Sequence, residues 1–204
     1  MAGKPAVVVI DHGSGNLRSA ERALARVGAD VVVSSDAGLA ADADGVVLPG
    51  VGAFAACMAG VREVKADALV RDRLSAGRPV LGICVGMQVL YDVGEEHGVR
   101  TDGIGIVSGE VVRLAAPILP HMGWNTVTPP ADSTLFAGVA QERFYFVHSY
   151  GVRPGGGDGE TVAVHGEPFV AAVESGALSA TQFHPEKSGD AGLALLENWL
   201  RSLR

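Results

Sequence analysis

A cysteine between glycines, in Gly82-Ile83-Cys84-Val85-Gly86-Met87-Gln88, and a much later His184-Pro185-Glu186-Lys187 carry the side chains that nucleophilic catalysis needs. Cys84 offers a nucleophile, His184 a base, and Glu186 a carboxylate that can orient the imidazole.

The elements around them decide whether they can meet. Pro79 to Ile83 is a short apolar run that predicts a strand buried on both faces, and Val85 to Tyr91 carries good helix formers without proline. Cys84 therefore falls on a sharp strand-to-helix turn, a cysteine version of the nucleophile elbow, with glycines on either side to relieve backbone crowding. The turn exposes the sulfur at the positive end of a helix, which favours thiolate over thiol. His184 ends a second apolar run, Ala180 to Phe183, and Pro185 forces an extended or turned backbone after it. In an extended segment residues two apart share a side, which brings Glu186 beside His184.

Each piece has a plainer reading by itself. Free cysteine is among the most buried residue types, and His-Pro-Glu is a short string. The conjunction of elbow, strand-end histidine and carboxylate is what points to catalysis. Cys57, in Ala55-Ala56-Cys57-Met58, reads as packing on a helix.

Composition sets the frame. The 204 residues suit one domain with a sizeable core, and 48% apolar against 19% charged residues excludes disorder. A formal charge of −7 without a Lys/Arg cluster argues against a nucleic-acid partner. Two cysteines cannot build a disulfide framework, Met1 to Pro5 does not make a signal peptide, and no apolar run reaches the length of a membrane span. The expectation is a cytoplasmic protein.

The first half alternates short strands (Ala6 to Ile10, Asp30 to Ser34, Gly45 to Leu48) with helices. Asn16 to Val27 presents Leu17, Ala20, Leu24 and Val27 on one face, and a longer helical region runs from the Pro49-Gly50-Val51-Gly52 turn to Ala76, with an interruption near Gly60. This predicts an α/β fold: a mostly parallel sheet flanked by helices. The second half is strand-rich: Gly105 to Leu114, Trp124 to Val127, Phe144 to Tyr150, Thr161 to His165, Phe169 to Glu174 and Ala180 to Phe183, with a hairpin tip at Ser175-Gly176. Arg153 to Glu160 is a glycine-rich loop, and Asp190 to Leu203 a closing helix that buries Leu193, Leu196, Leu200 and Leu203. His12-Gly13-Ser14-Gly15-Asn16 meets neither nucleotide-binding fingerprint, and the six histidines lack metal-ligand spacing, so no metal or other cofactor is expected.

With these motifs placed, the chain resembles the class I glutamine amidotransferases over nearly its whole length. Their glutaminase domains use Cys, His and Glu in this chain order on a flavodoxin-like sheet. A narrower set, residues 11–19, Leu48 to Phe54, Gly82 to Gln88, Met122 to Asn125, Phe144 to Tyr150 and His184 to Ser188, is similar to the glutaminase subunits of histidine biosynthesis. His12 departs from a usual Tyr and Val85 from a usual Leu. The resemblance implies glutamine hydrolysis by Cys84, His184 and Glu186 within a single domain, 1–204. It also implies an oxyanion hole from Val51, Gly52 and Val85, glutamine binding by Gly50, Gln88, Ser149 and Tyr150, and a (β/α)8-barrel cyclase partner met by Asn16, Trp124, Asn125 and Lys187. Glutaminase subunits of other synthases, a cysteine hydrolase of related fold and a non-catalytic subunit are the competing readings.

Overall fold

The computed structural model describes residues 3–155, 157 and 159–203. Gly156 and Asp158, within the glycine-rich loop expected at residues 153–160, lie outside them. In chain order the first half is β1 (Ala6–Ile10), α1 (Leu17–Arg26), β2 (Asp30–Ser34), α2 (Ala37–Asp42), β3 (Gly45–Gly50), α3 (Phe54–Glu63), α4 (Ala66–Ser75), β4 (Val80–Cys84) and α5 (Val85–Gln88). There follow β5 (Tyr91–Glu96), β6 (Val99–Asp102), β7 (Val107–Arg113), β8 (His121–Thr126), β9 (Arg143–His148), β10 (Tyr150–Val152), β11 (Glu160–His165), β12 (Glu167–Ser175), β13 (Leu178–Thr181) and α6 (Gly189–Arg201).

Seven strands form the central sheet in the order β11-β12-β13-β4-β3-β1-β2. From β13 to β2 every neighbouring pair is parallel, while β12 and β11 add an antiparallel edge. Strands β3 and β4 are buried along their whole length, which is why both read as unbroken apolar runs rather than as alternation. The other strands form a four-stranded sheet, β10-β7-β5-β6, and the β8-β9 hairpin. Arg73, 2% exposed, donates to the carbonyls of Ala40, Ala43 and Asp44 and so ties α4 to α2 and to the loop before β3.

Several expectations need correction. The long helical region breaks at Lys65 (φ 57), not near Gly60. Gly60 stays inside α3 because a Cβ there would lie 2.2 Å from the His12 carbonyl oxygen, so its missing side chain serves a close approach and not a helix stop. The helix after Cys84 is one turn: Tyr91 to Glu96 is a strand paired with β6 across His97-Gly98. α2 was unforeseen. In α6, Leu195 and Trp199 join Leu196 and Leu200 in the core, while Leu193 and Leu203 are only partly covered.

Candidate active site

β3, β4 and β13 lie side by side and parallel, so their carboxyl ends open on one edge of the sheet, the edge where open α/β sheets hold ligands. Register pairs Gly50 with Cys84 and Thr181 with Ile83. β3 thus delivers the Val51-Gly52 turn, β4 the cysteine, and the segment after β13 the histidine, around a cleft of about 540 Å³.

Cys84 sits at φ 58 and ψ −114, a strained backbone for a side chain with a Cβ and the mark of an elbow. The elbow closes because Gly86 packs directly on β3: a Cβ there would meet the Leu48 carbonyl oxygen at 1.9 Å. Since α5 has only one turn, a helix dipole contributes little at the sulfur. The charged partner is the imidazole. His184 Nδ1 bonds Glu186 Oε1 at 2.7 Å, and both side chains are 3% exposed. Burial works against charge on His184, but hydrogen bonds to Cys84 and Glu186 and the charges of both outweigh it and lift the imidazole to about 9. Cys57 differs sharply: burial, reinforced by Cys84, pushes its thiol up to about 12, and it packs under Gly50 with no exposure.

Glu186 reaches His184 by a route other than extended alternation. Pro185–Lys187 form a turn of 3-10 helix that swings the carboxylate back onto Nδ1. The histidine backbone is pinned as well: its N–H donates to the Tyr145 carbonyl at 2.9 Å, and its own carbonyl accepts from Ser188 Oγ at 2.7 Å. Ser188, buried to 1%, has no local signal that marks it as support.

Val51, Gly52, Val85, Gln88, Ser149 and Tyr150 all line the cleft with Cys84 and His184. Gly50 does not. It is buried behind the cleft, where a Cβ would come within 2.5 Å of the Gly86 nitrogen. His12, buried, donates from Nε2 to the Pro49 carbonyl at 2.6 Å, and Ser14 Oγ donates to the Val51 carbonyl at 2.8 Å. The first loop therefore holds two carbonyls of the Pro49-Gly52 turn, where an oxyanion hole is expected. The Gly52 N–H, on the same trans peptide as the Val51 carbonyl, points the opposite way. Gln88 Nε2 donates to the Tyr150 carbonyl and to Gln182 Oε1, each at 2.9 Å, and Gln182 Nε2 lies 3.8 Å from Cys84 Sγ.

Of the expected interface positions, Asn16 and Lys187 are exposed and Trp124 is 54% exposed, whereas Asn125 turns its amide inward to His121 and the Val164 carbonyl. Sequence reasoning missed Glu96, His97 and Arg113, which also line the cleft. Glu96 and His97 belong to the β5-β6 hairpin, a stretch to which the sequence reading assigned no element. Among the described residues no cluster of His, Cys, Asp or Glu could hold a metal ion.

The raised His184 value predicts the alkaline limb of the pH profile. Its folded value lies above the ordinary 6.5, so the imidazolium persists below about 9 and is lost above it. Glu186→Gln removes one of the charges that raise it. The alkaline limb of kcat/KM should start near pH 9 and move to lower pH in the variant; a limb that stays put would show that Glu186 does not act through His184.

The family model for class I glutamine amidotransferases matches residues 8–203. A Thermobifida fusca (strain YX) protein named imidazole glycerol phosphate synthase subunit HisH is 58% identical over 210 residues, covering 98% of this chain and 100% of the relative. The Mycobacterium tuberculosis (strain ATCC 25618 / H37Rv) protein of the same name is 58% identical over 201 residues, covering 97% and 98%. In fold, the chain is similar to a solved glutamine amidotransferase (TM-score 0.73, 21% identity, covering 94% of this chain and 98% of the other). It is similar also to PurLQS from Thermotoga maritima (TM-score 0.74, 21% identity, covering 98% and 100%).

Proposed function

The chain belongs to the class I glutamine amidotransferase family, and from that premise we propose that it is the glutaminase subunit of imidazole glycerol phosphate synthase, acting in histidine biosynthesis. The observation that carries the proposal is the meeting of Cys84 with the Glu186-bound imidazole of His184 at one cleft, in a chain alike to those subunits over nearly its whole length.

The reaction runs through a thioester. The Cys84 sulfur attacks the side-chain carbonyl carbon of glutamine, and the charge that develops on oxygen is met by the N–H of Val85 and a donor from the Val51-Gly52 turn. His184 gives its proton to the departing ammonia, then takes one from the water that attacks the thioester, which releases glutamate and restores the thiol. Glu186 fixes the tautomer and steadies the imidazolium. At the cleft, the Glu96 carboxylate and the Arg113 guanidinium supply the opposite charges that the ammonium and carboxylate of a free amino acid require.

Ammonia released to water at neutral pH is mostly ammonium and a poor nucleophile, so it passes directly to a cyclase subunit built as a (β/α)8 barrel. The docking face proposed for it carries Asn16, Trp124 and Lys187, with the exposed Met122 next to Trp124 on β8. Asn125 supports that face from inside. The whole of residues 1–204 acts as one domain, in the cytoplasm; Cys57 and Cys84 are both free thiols, and no helix among the described residues is long and apolar enough to cross a membrane.

The test is reconstitution. Glutamate release is measured with the chain alone, with the cyclase, and with the cyclase plus its nucleotide substrate, alongside formation of imidazole glycerol phosphate from glutamine. The expected result is slow hydrolysis alone, a rise of roughly 100- to 1000-fold in the loaded complex, as completing an oxyanion site would give, and stoichiometric transfer of ammonia. Hydrolysis without any transfer would point to a glutaminase subunit of another synthase.

A further inference from the structure

Beside the cleft, whose wall includes His148, three histidines on three strands meet; His121 and His148 are buried and His165 is half-buried. His121 of β8 lies between Phe146 (ring centroids 4.8 Å) and His165 of β11 (4.2 Å), both stacked on it, and its Nδ1 is 2.9 Å from Nε2 of His148 of β9. His148 Nδ1 is 2.9 Å from the Tyr150 carbonyl, and Asn125 Nδ2 is 3.2 Å from His121 Nε2.

The protons in this row can be assigned from its ends. A carbonyl can only accept, so His148 Nδ1 carries hydrogen and donates to Tyr150. Burial holds both rings neutral: it brings His148 down to about 3 and His121 down to about 4, with the neighbouring histidines opposing charge further. A neutral His148 must then accept at Nε2, which makes His121 Nδ1 the donor and leaves His121 Nε2 to accept from Asn125. The far end demands the same polarity independently. Asn125 Nδ2 also faces the Val164 carbonyl at 3.0 Å and its Oδ1 accepts from the Thr126 N–H at 2.9 Å, so the amide can only present its N–H to His121.

Polarity then runs on into the cleft. The Tyr150 carbonyl accepts from His148 and from Gln88, which fills both its lone pairs, and the second Gln88 N–H is taken by Gln182. Gln88 is left with its carbonyl oxygen as the group free to accept from a ligand. On the glutaminase reading, we propose that Asn125, His121 and His148 form one hydrogen-bond relay of fixed direction that positions the Tyr150 carbonyl, and through it the Gln88 amide, for glutamine binding. The two histidines are positioning residues that act through the Tyr150 carbonyl.

The relay is tested in the full chain with its cyclase and nucleotide present, with glutamine as the varied substrate. His148→Leu strips one donor from the Tyr150 carbonyl and should raise KM about 10- to 100-fold, the size expected for a lost buried hydrogen bond, with a smaller change in kcat. His148→Asn carries an N–H where Nδ1 stood and should recover most of that loss; His121→Asn should likewise bind glutamine better than His121→Leu. A KM unchanged in His148→Leu, or equal losses in the Asn and Leu variants, would overturn the relay. Nitrogen-15 spectra of the wild-type histidines supply a readout that depends on neither folding of variants nor activity: His121 and His148 should both be neutral Nδ1–H tautomers at pH 7, and an Nε2–H tautomer at His148 would refute the assignment. A wild-type chain that does not hydrolyse glutamine at all would instead sink the glutaminase reading, and the spectra would still judge the relay.

Discussion

Cys84→Ala is expected to remove glutamine hydrolysis, with a fall of roughly 10⁶-fold in kcat, while the protein melts within a few degrees of wild type. The loss is large because the thioester route vanishes with the sulfur and neither His184 nor the oxyanion donors can replace it. The stability is kept because alanine inherits the same backbone: the φ of 58 belongs to the elbow, not to the thiol. Cys84→Gly separates the two contributions. Glycine adopts this conformation without penalty, so relief of about 1–3 kcal/mol should raise the melting temperature above wild type while activity stays absent. Cys57→Ala, which loses packing under Gly50 and no chemistry, should retain activity. If Cys57→Ala were dead and Cys84→Ala active, the assignment of the nucleophile would be wrong.

The second large effect is expected from a single methyl group. In Gly86→Ala the added Cβ would sit 1.9 Å from the Leu48 carbonyl oxygen and 3.0 Å from the Pro49 carbonyl carbon, both backbone atoms that no rotamer change can clear. β3 and the elbow must separate, and the end of β3 carries the turn proposed to supply an oxyanion donor. A cost of about 3 kcal/mol, read as a fall of roughly 6–12 °C in melting temperature, should accompany a drop of about 100-fold in kcat. Gly77→Ala is the control for conformation without crowding: its φ is +69 and nothing lies within 4 Å, so about 1 kcal/mol is expected with activity retained. Thermal melts and initial rates on the two variants decide the matter. Equal behaviour would mean that close approach at Gly86 does not hold the site together.

The parts of this site that the sequence carries are those whose chemistry is local. The buried strand, the cysteine between glycines and the strand-end histidine announce themselves within a few residues, and the alternation of the first half predicts a parallel sheet. What stayed hidden depends on partners distant in the chain. Tyr91 to Glu96 has no alternation to mark it as a strand; it becomes one by pairing with β6 and β7, and Glu96 and His97 were missed with it. Gly60 looked like a break because the backbone of His12, against which it packs, is far away in sequence. His121, His148 and His165 have no local spacing, since three different strands bring them together. Glu186 was placed beside His184 for the wrong reason: the 3-10 turn, not an extended segment, makes the contact.

The position of β4 in the sheet also governs how the protein can be made. One flank of β4 is covered by β13, whose residues Leu178–Thr181 are translated long after Val80–Cys84. Until they leave the ribosome, the nascent chain offers a bare apolar strand edge with an unsatisfied row of peptide groups and a thiol at its tip, the kind of surface that pairs with another copy. Premature termination anywhere before β13 should therefore yield aggregate instead of a soluble, dormant fragment, and slow translation across residues 85–177 should make the cell's holding chaperones necessary for yield.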